Sequence, residues 1–452
     1  LKDKVKEVTK GIFPIVGNAR TLELQDVDIP DALSIDDIRS QKEAKLSGRS
    51  WTVPVHATVV MKDNATGSTV EKRKIKLMDL PKYTRRFSHI IDGTEYQVDN
   101  QWRLKSGAFS MVKDDGSLET HFNTPGSKGS LDIHFDPESK KFTMEYDGKN
   151  MPLLPLLHGL GIDAGHVEKS WGKDIAEANA GDPAKAVLKF HNVVTGQKTT
   201  DLEAAKATLK NALFETKMNP EVNKITLGHP HTNVTGDTLL AASNKLLGIS
   251  RGTVKPDPRD SLMFKELHSL EDFMGERIQQ GSKEITRKIR NTLDRKDKGI
   301  RDVIGPDVFN KNIRYLFTGP SGLANQPSQL NPLEMMSNQM KTTIMGHGGI
   351  SNVHAITEDA KLVDPSHMGF LDPLHTSEGA DTGINLRLPI GVTKRGHDVT
   401  IRVYSMKEGK NVDVNPEQIM HSKVALPDQV RWVNNKPVAI DKKINMSGVG
   451  ND

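Results

Sequence analysis

The chain has 452 residues, of which 35% are hydrophobic, 5% aromatic and 27% charged, with a formal charge of +4. That length holds two to four domains, and the mild basic excess does not by itself establish nucleic-acid binding. Cysteine is absent, which removes disulfides, thiolate catalysis and cysteine-ligated zinc; no apolar run is long enough to span a bilayer, and no secretory signal opens the chain.

The first part reads as mixed β. The runs Trp51 to Met61 and Ser68 to Met78 alternate and are joined by Asp63-Asn64-Ala65-Thr66-Gly67, a hairpin signal. Phe87 to Ile91 and Tyr96 to Val98 flank Asp92-Gly93, and Ser130 to Phe135 pairs with Lys141 to Tyr146 around Asp136-Pro137. At Met151 the character changes. MPLLPLLHGLGI predicts a short helix ending near Gly159 or Gly161, and 165–250 is mostly helical with breaks near Gly181, Pro183 and Pro230. A turn-rich linker at 252–260 leads to a strongly helical stretch at 261–316. From Asn331 to Gly391, glycine and proline interleave with His, Asp and Glu in GHGG (346–349), DPSHMG (364–369) and TSEGADTGINL (376–386), a pattern that builds tight turns presenting polar groups. Strand character returns at Val399 to Met406 and around Asn434-Asn435-Lys436. The ending SGVGND reads as that of a fragment or a split subunit.

Four constellations carry potential chemistry, each with a plainer alternative. His347, His354, His367, His375, Asp364 and Asp372 could gather around a metal, but their spacing matches no strong ligand signature, and turn capping is favoured. In Lys283 to Arg301, Ile285, Ile289 and Leu293 form a packing stripe, and Arg287, Lys288, Arg290, Arg295, Lys296 and Lys298 crowd the remainder. Phosphate contact is one reading and a solvated face the favoured one. Arg85, Arg86, Arg103 and Lys105 alternate with Tyr83, Phe87, Tyr96 and Trp102, which suits either single-stranded nucleic acid or a sheet with an aromatic core. The GHGG turn could cradle phosphate, although a structural turn is favoured.

Taken in order, these segments resemble the β subunit of multisubunit DNA-dependent RNA polymerase over about 50–430, thinly between 165 and 250. The similarity is carried by Lys76 to Val98, Leu131 to Gly161, Arg259 to Ile278, and most specifically by QLNPLEMMSNQMKTTIMGHGGI (329–350) and VDPSHMGFLDPLHTSEGADTGINL (363–386). The resemblance implies a mixed α+β multidomain chain with protrusion, lobe and fork. Residues 1–150, completed by about 275–335, would form the protrusion; 151–275 the lobe; and 336–452 the fork and the start of a central β module.

By the same resemblance the chain is expected to serve template-directed nucleotidyl transfer without catalytic residues of its own. Mg²⁺ would be bound by aspartates of a β′-like partner, and this chain alone would be inactive. Expected partners are the β C-terminal half, the β′-like subunit, DNA template and non-template strands, nascent RNA and a specificity factor, with no membrane. A split β subunit of giant-bacteriophage type, in the virion or host cytoplasm, fits the divergence and length. Nucleic-acid contacts are implied for Arg103, Lys105, Asp260, Lys265, Gln329, Asn338, Lys341, Thr343, Glu378 and Asp381. Asp260 falls on a base-reading aspartate, for which accepting from a base amino group is sensible chemistry, and Lys265 stands where an arginine usually assists it. Ser328, Asn338, Met340 and Lys341 replace the usual residues of the rifamycin pocket, and Asp381 replaces an asparagine. Two other classes compete with this reading: a structural or DNA-packaging virion protein reusing the fold, and a metal-dependent hydrolase using His347, His367 and His375.

Overall fold

The computed structural model describes residues 1–30, 37–126, 129–295, 297–320, 322–328, 330–356, 358–434, 436–441, 444 and 446–447. It is a mixed α+β structure with several separate sheets. The chain forms two compact units, one of 1–103 with 266–452 and one of 104–265.

The first unit is built on an antiparallel sheet of Ile15–Val16, Arg20–Asp28, Thr52–Asp63 and Thr69–Pro81. Alternation in TVPVHATVVM puts Val53, Val55, Ala57, Val59 and Met61 inside, as a half-buried strand requires. The predicted hairpin turn forms, with Asp63 Oδ1 accepting from the Ala65 and Thr66 amides at 2.9 and 3.0 Å. Three helices, Lys2–Ile12, Leu270–Leu293 and Asn310–Thr318, contribute to the same core through Val5, Phe273, Ile278, Ile313 and Leu316. Ile285, Ile289 and Leu293 are buried as their spacing predicts, while Arg287, Lys288 and Arg290 face solvent. The end of the long helix is stitched down: Asp294 accepts from the Asn18 and Ala19 amides, and Arg20 donates to the Arg295 and Lys298 carbonyls. The plain reading of this basic helix therefore accounts for its geometry; Lys296 lies outside the described residues.

The Asp92-Gly93 turn joins His89–Ile91 to Thr94–Val98 with φ of +49° and +78°. Glycine is required at the second position twice over, because a Cβ there would stand 2.8 Å from Gly48 Cα. Further on, Thr393–Arg395, Asp398–Ser405 and Lys410–Val414 form antiparallel pairs, as do Val430–Val433 and Lys436–Ala439.

The second unit is a five-stranded antiparallel sheet in the order Lys149–Pro152, Lys141–Tyr146, Leu131–Asp136, Leu118–Asn123 and Gly107–Val112. Its helices include Leu153–Gly159, Pro183–Thr195, Leu202–Phe214 and Gly236–Ser250. Asp182 and Asp201 cap their helices by accepting from two backbone amides each. Phe142 stacks against Trp171 at 4.5 Å, and Trp171 Nε1 donates to Ser243 Oγ at 2.9 Å.

The unit boundaries differ from breaks near 150, 275 and 336. Strand residues Ala108, Phe122, Ile133 and Phe142 share one core with Leu156, Phe190, Leu209 and Leu246. The change at Met151 is thus a switch of secondary structure inside one core, and the chain leaves the first unit at 103 and re-enters it at 266.

Candidate nucleic-acid interface

In the first unit, the strand Asn100–Leu104 brings distant residues together. Lys341–Thr343 runs parallel to it, Thr342 opposite Asn100 and Thr343 opposite Gln101. Asn385–Arg387 pairs antiparallel on the other side of Lys341–Thr343. The two segments rich in glycine and acid are thereby anchored to one small sheet.

The glycine turn at 346–349 is shaped by that sheet. Gln101 Nε2 donates to the Met345 carbonyl at 2.7 Å, and Arg103 Nη2 donates to the His347 carbonyl at 3.2 Å. A Cβ on Gly348 would stand 2.5 Å from the Arg103 guanidinium carbon, and one on Gly349 2.6 Å from Gln101 Nε2. Glycine is needed because two side chains press against the backbone, so the motif is a structural turn.

Arg103 is committed to this support. Its guanidinium meets both Glu276 carboxylate oxygens at 2.5 and 3.1 Å, donates to Gln101 Oε1 at 2.7 Å and lies over the Phe273 ring. Its side chain is 14% exposed. Burial works to raise the Glu276 carboxyl, but the neighbouring His268 and the Arg103 pair outweigh it and hold the pKa at about 2. Arg103, expected to meet phosphate, is held here in an internal bidentate pair with Glu276.

The other expected contacts fall into distinct settings. Thr343 is buried, and its hydroxyl accepts from the Met345 amide. Lys341 Nζ pairs at 2.8 Å with buried Asp99. Burial pushes the Asp99 carboxyl up, against the pull of Lys341 and Asn325. Asn338 Oδ1 accepts from Arg387, which also binds Ser337 Oγ. Glu378 and Asp381 are exposed on a 3-10 turn, Gly379–Asp381. Gln329 lies outside the described residues.

Lys105, Asp260 and Lys265 belong to the second unit and are gathered there. The Lys105 amide donates to the Phe264 carbonyl at 2.8 Å, and Lys265 Nζ lies 3.4 Å from Asp260 Oδ1. The loop bearing Asp260 is fixed by Asp257, which accepts from Lys245 Nζ and from the Ser110 amide at 2.7 Å.

The alternation of basic and aromatic residues resolves toward the sheet reading. Tyr83 packs on His89, Tyr96 on Phe317, and Trp102 is 4% exposed; of the four aromatics only Phe87 is exposed. Hydrolase chemistry finds no grouping of its three histidines among the described residues. His367 Nδ1 instead accepts from the Asp364 amide at 3.4 Å as part of a turn cap. The sets able to hold a cation are His268, Asp272 and His397, and Glu119, His121 and Asp132. Sequence reasoning passed over Asp99, Gln101, Glu276 and Arg387. Their signal lay in partners more than a hundred residues away, except for Arg387, which sits about fifty residues from Ser337 and Asn338.

The pattern has relatives. Residues 327–390 match the family model for RNA polymerase Rpb2, domain 3. The DNA-directed RNA polymerase subunit beta of Syntrophomonas wolfei is 23% identical over 410 residues, covering 85% of this chain and 36% of the relative. That of Cyanidioschyzon merolae is 24% identical over 437 residues, covering 91% and 41%, and that of an Arthrobacter species 23% over 421, covering 84% and 35%. The chain is similar to a β-subunit region of DNA-directed RNA polymerase. The chain spans between about a third and two fifths of the length of these relatives. Its segment 327–390 contains both the glycine turn and the exposed carboxylates Glu378 and Asp381. Among the described residues, no helix is long and apolar enough to cross a membrane.

Proposed function

We propose that the chain works as a non-catalytic part of a DNA-directed RNA polymerase, positioning the separated DNA strands and the nascent RNA beside a two-metal site on a β′-like partner. The observation carrying this reading is the coincidence of the matched segment 327–390 with the sheet that holds the glycine turn and the 376–386 loop in fixed register. Template-directed transfer needs reactants held in line, and a rigid scaffold supplies that orientation. Mg²⁺ on the partner would activate the RNA 3′ oxygen and stabilise departing pyrophosphate; neither cation-capable set here is a cluster of aspartates alone.

The site residues divide by setting. Glu378 and Asp381 are exposed to a polyanion, Asp260 with Lys265 forms a polar pair suited to a base edge, and Arg103, Lys341 and Thr343 hold the scaffold. In this reading the protrusion, lobe and fork correspond to the sheet-based and helical parts described above. The test is purification of the native assembly. RNA synthesis on a DNA template with Mg²⁺, together with a β′-like chain and the β C-terminal portion in native mass spectra, supports the reading and shows whether that portion is a separate polypeptide. An assembly without any such partner or synthesis overturns it.

A further inference from the structure

Beside the Arg103–Glu276 pair lies a group that the transcription reading does not use. His268 is 6% exposed, and its ring stacks on that of His397 at 4.6 Å and 26°. The two histidines come from segments well apart in sequence, connected locally by the Leu267 amide donating to the His397 carbonyl at 2.8 Å. One ligand atom each of His268, Asp272 and His397 lie within 4.8 Å of one another.

The protonation pattern of this cluster is informative. His268 Nε2 sits 2.8 Å from Glu266 Oε1, so that nitrogen carries the proton. In the neutral ring this leaves a bare lone pair on Nδ1. That atom is buried and makes no hydrogen bond among the described residues, although Glu276 Oε1 is 3.4 Å away. His397 Nδ1 is likewise buried without a hydrogen bond, 3.7 Å from Asp272 Oδ1. Asp272 is oriented by its other oxygen, which accepts from Lys394 Nζ at 2.5 Å and from the Ser269 amide at 3.0 Å. Lone pairs facing carboxylates repel unless a positive centre stands between them. Carboxylates of Glu266, Glu271, Asp272 and Glu276 face the cations Lys394 and Arg103, leaving net negative charge around the two imidazoles.

We propose that His268, Asp272 and His397 form a site for a divalent transition metal of the zinc class, fastening the turn at 395–398 to the start of the helix Leu270–Leu293. Imidazole with carboxylate suits that class of ion, and three protein ligands with a water complete a tetrahedral set. Ligand atoms in such a set stand roughly 3.3 Å apart, so small side-chain rotations suffice to close on the ion. The Glu266 hydrogen bond and the Lys394 contact are the outer partners that fix ligand tautomer and orientation. The site is independent of the proposed function.

The test uses the full chain, purified with any partners and stripped with a chelator, then titrated with Zn²⁺ by calorimetry and with Co²⁺ by visible absorption. Wild type should bind one more ion than His397→Gln, with tetrahedral Co²⁺ bands that the variant lacks. Asp272→Asn should weaken binding at least about tenfold. The melting temperature should rise with Zn²⁺ in wild type only. His397 is partly exposed, so its variant keeps the test valid if His268→Gln does not fold. His121→Gln, in the other cation-capable set, should bind like wild type. Identical ion counts in wild type and His397→Gln, or loss confined to His121→Gln, overturns the proposal and assigns the positive centre on His268 to a proton.

Discussion

Lys245 Nζ stands 2.5 and 2.6 Å from the two carboxylate oxygens of Asp257, with both side chains 9% exposed. Burial pulls the lysine pKa down and pushes the aspartate up, and their mutual attraction opposes both. The pair binds the helix Gly236–Ser250 to the loop that carries Asp260. Lys245→Ala leaves a buried carboxylate unpaired and should cost about 3–5 kcal/mol, while Lys245→Met should cost less. Denaturant unfolding of the full chain measures this, and equal losses in the two variants would contradict the argument.

Arg103 should behave as a structural residue. Arg103→Ala strands Glu276 and releases the turn at 346–349, with an expected loss of about 3 kcal/mol. Gly348→Ala should also destabilise, since its φ of +87° and the Arg103 guanidinium both exclude a side chain. Weakened nucleic-acid binding at unchanged stability in Arg103→Ala would reverse the assignment.

Acid should weaken the first unit through His89. Burial lowers its pKa to about 4, while its Nδ1 donates to the Lys82 carbonyl. Between about 6.5 and 4 the unfolded chain binds a proton that the folded chain refuses, so stability rises with pH across that window. The loss on descending through it is up to about 3 kcal/mol. Unfolding free energies at a series of pH values, compared with His89→Gln, give the measurement; a variant with the same slope as wild type rules His89 out.

Asp381 sits exposed where a neutral amide would not repel phosphate. Asp381→Asn should tighten binding of single-stranded nucleic acid by about two- to fivefold at low salt, with the gain shrinking as salt rises. Fluorescence anisotropy reads this directly, and an unchanged affinity would place the 376–386 loop away from the strand.

Rifamycins should not inhibit the assembly. Lys341 is held by Asp99 and Asn338 by Arg387, and Met340 is 38% exposed. Transcription by the purified complex across a drug titration tests this, and inhibition at low drug concentration would refute it.

Local structure was legible in the residues because its causes are local. Strand alternation, the Asp63–Gly67 and Asp92-Gly93 turns, and the stripe of Ile285, Ile289 and Leu293 depend on neighbours within a few positions. Collinear motifs likewise carry the resemblance to the β subunit in the sequence itself. Tertiary structure decided what those residues do. Arg103 reads as a free cation until Glu276 arrives from 173 residues away, and Tyr83, Tyr96 and Trp102 read as a stacking platform until the core takes them. The unit boundary at 103 and the meeting of His268 with His397 were equally invisible. Such features follow from which surfaces bury against each other, a property of the folded whole that sequence spacing does not encode.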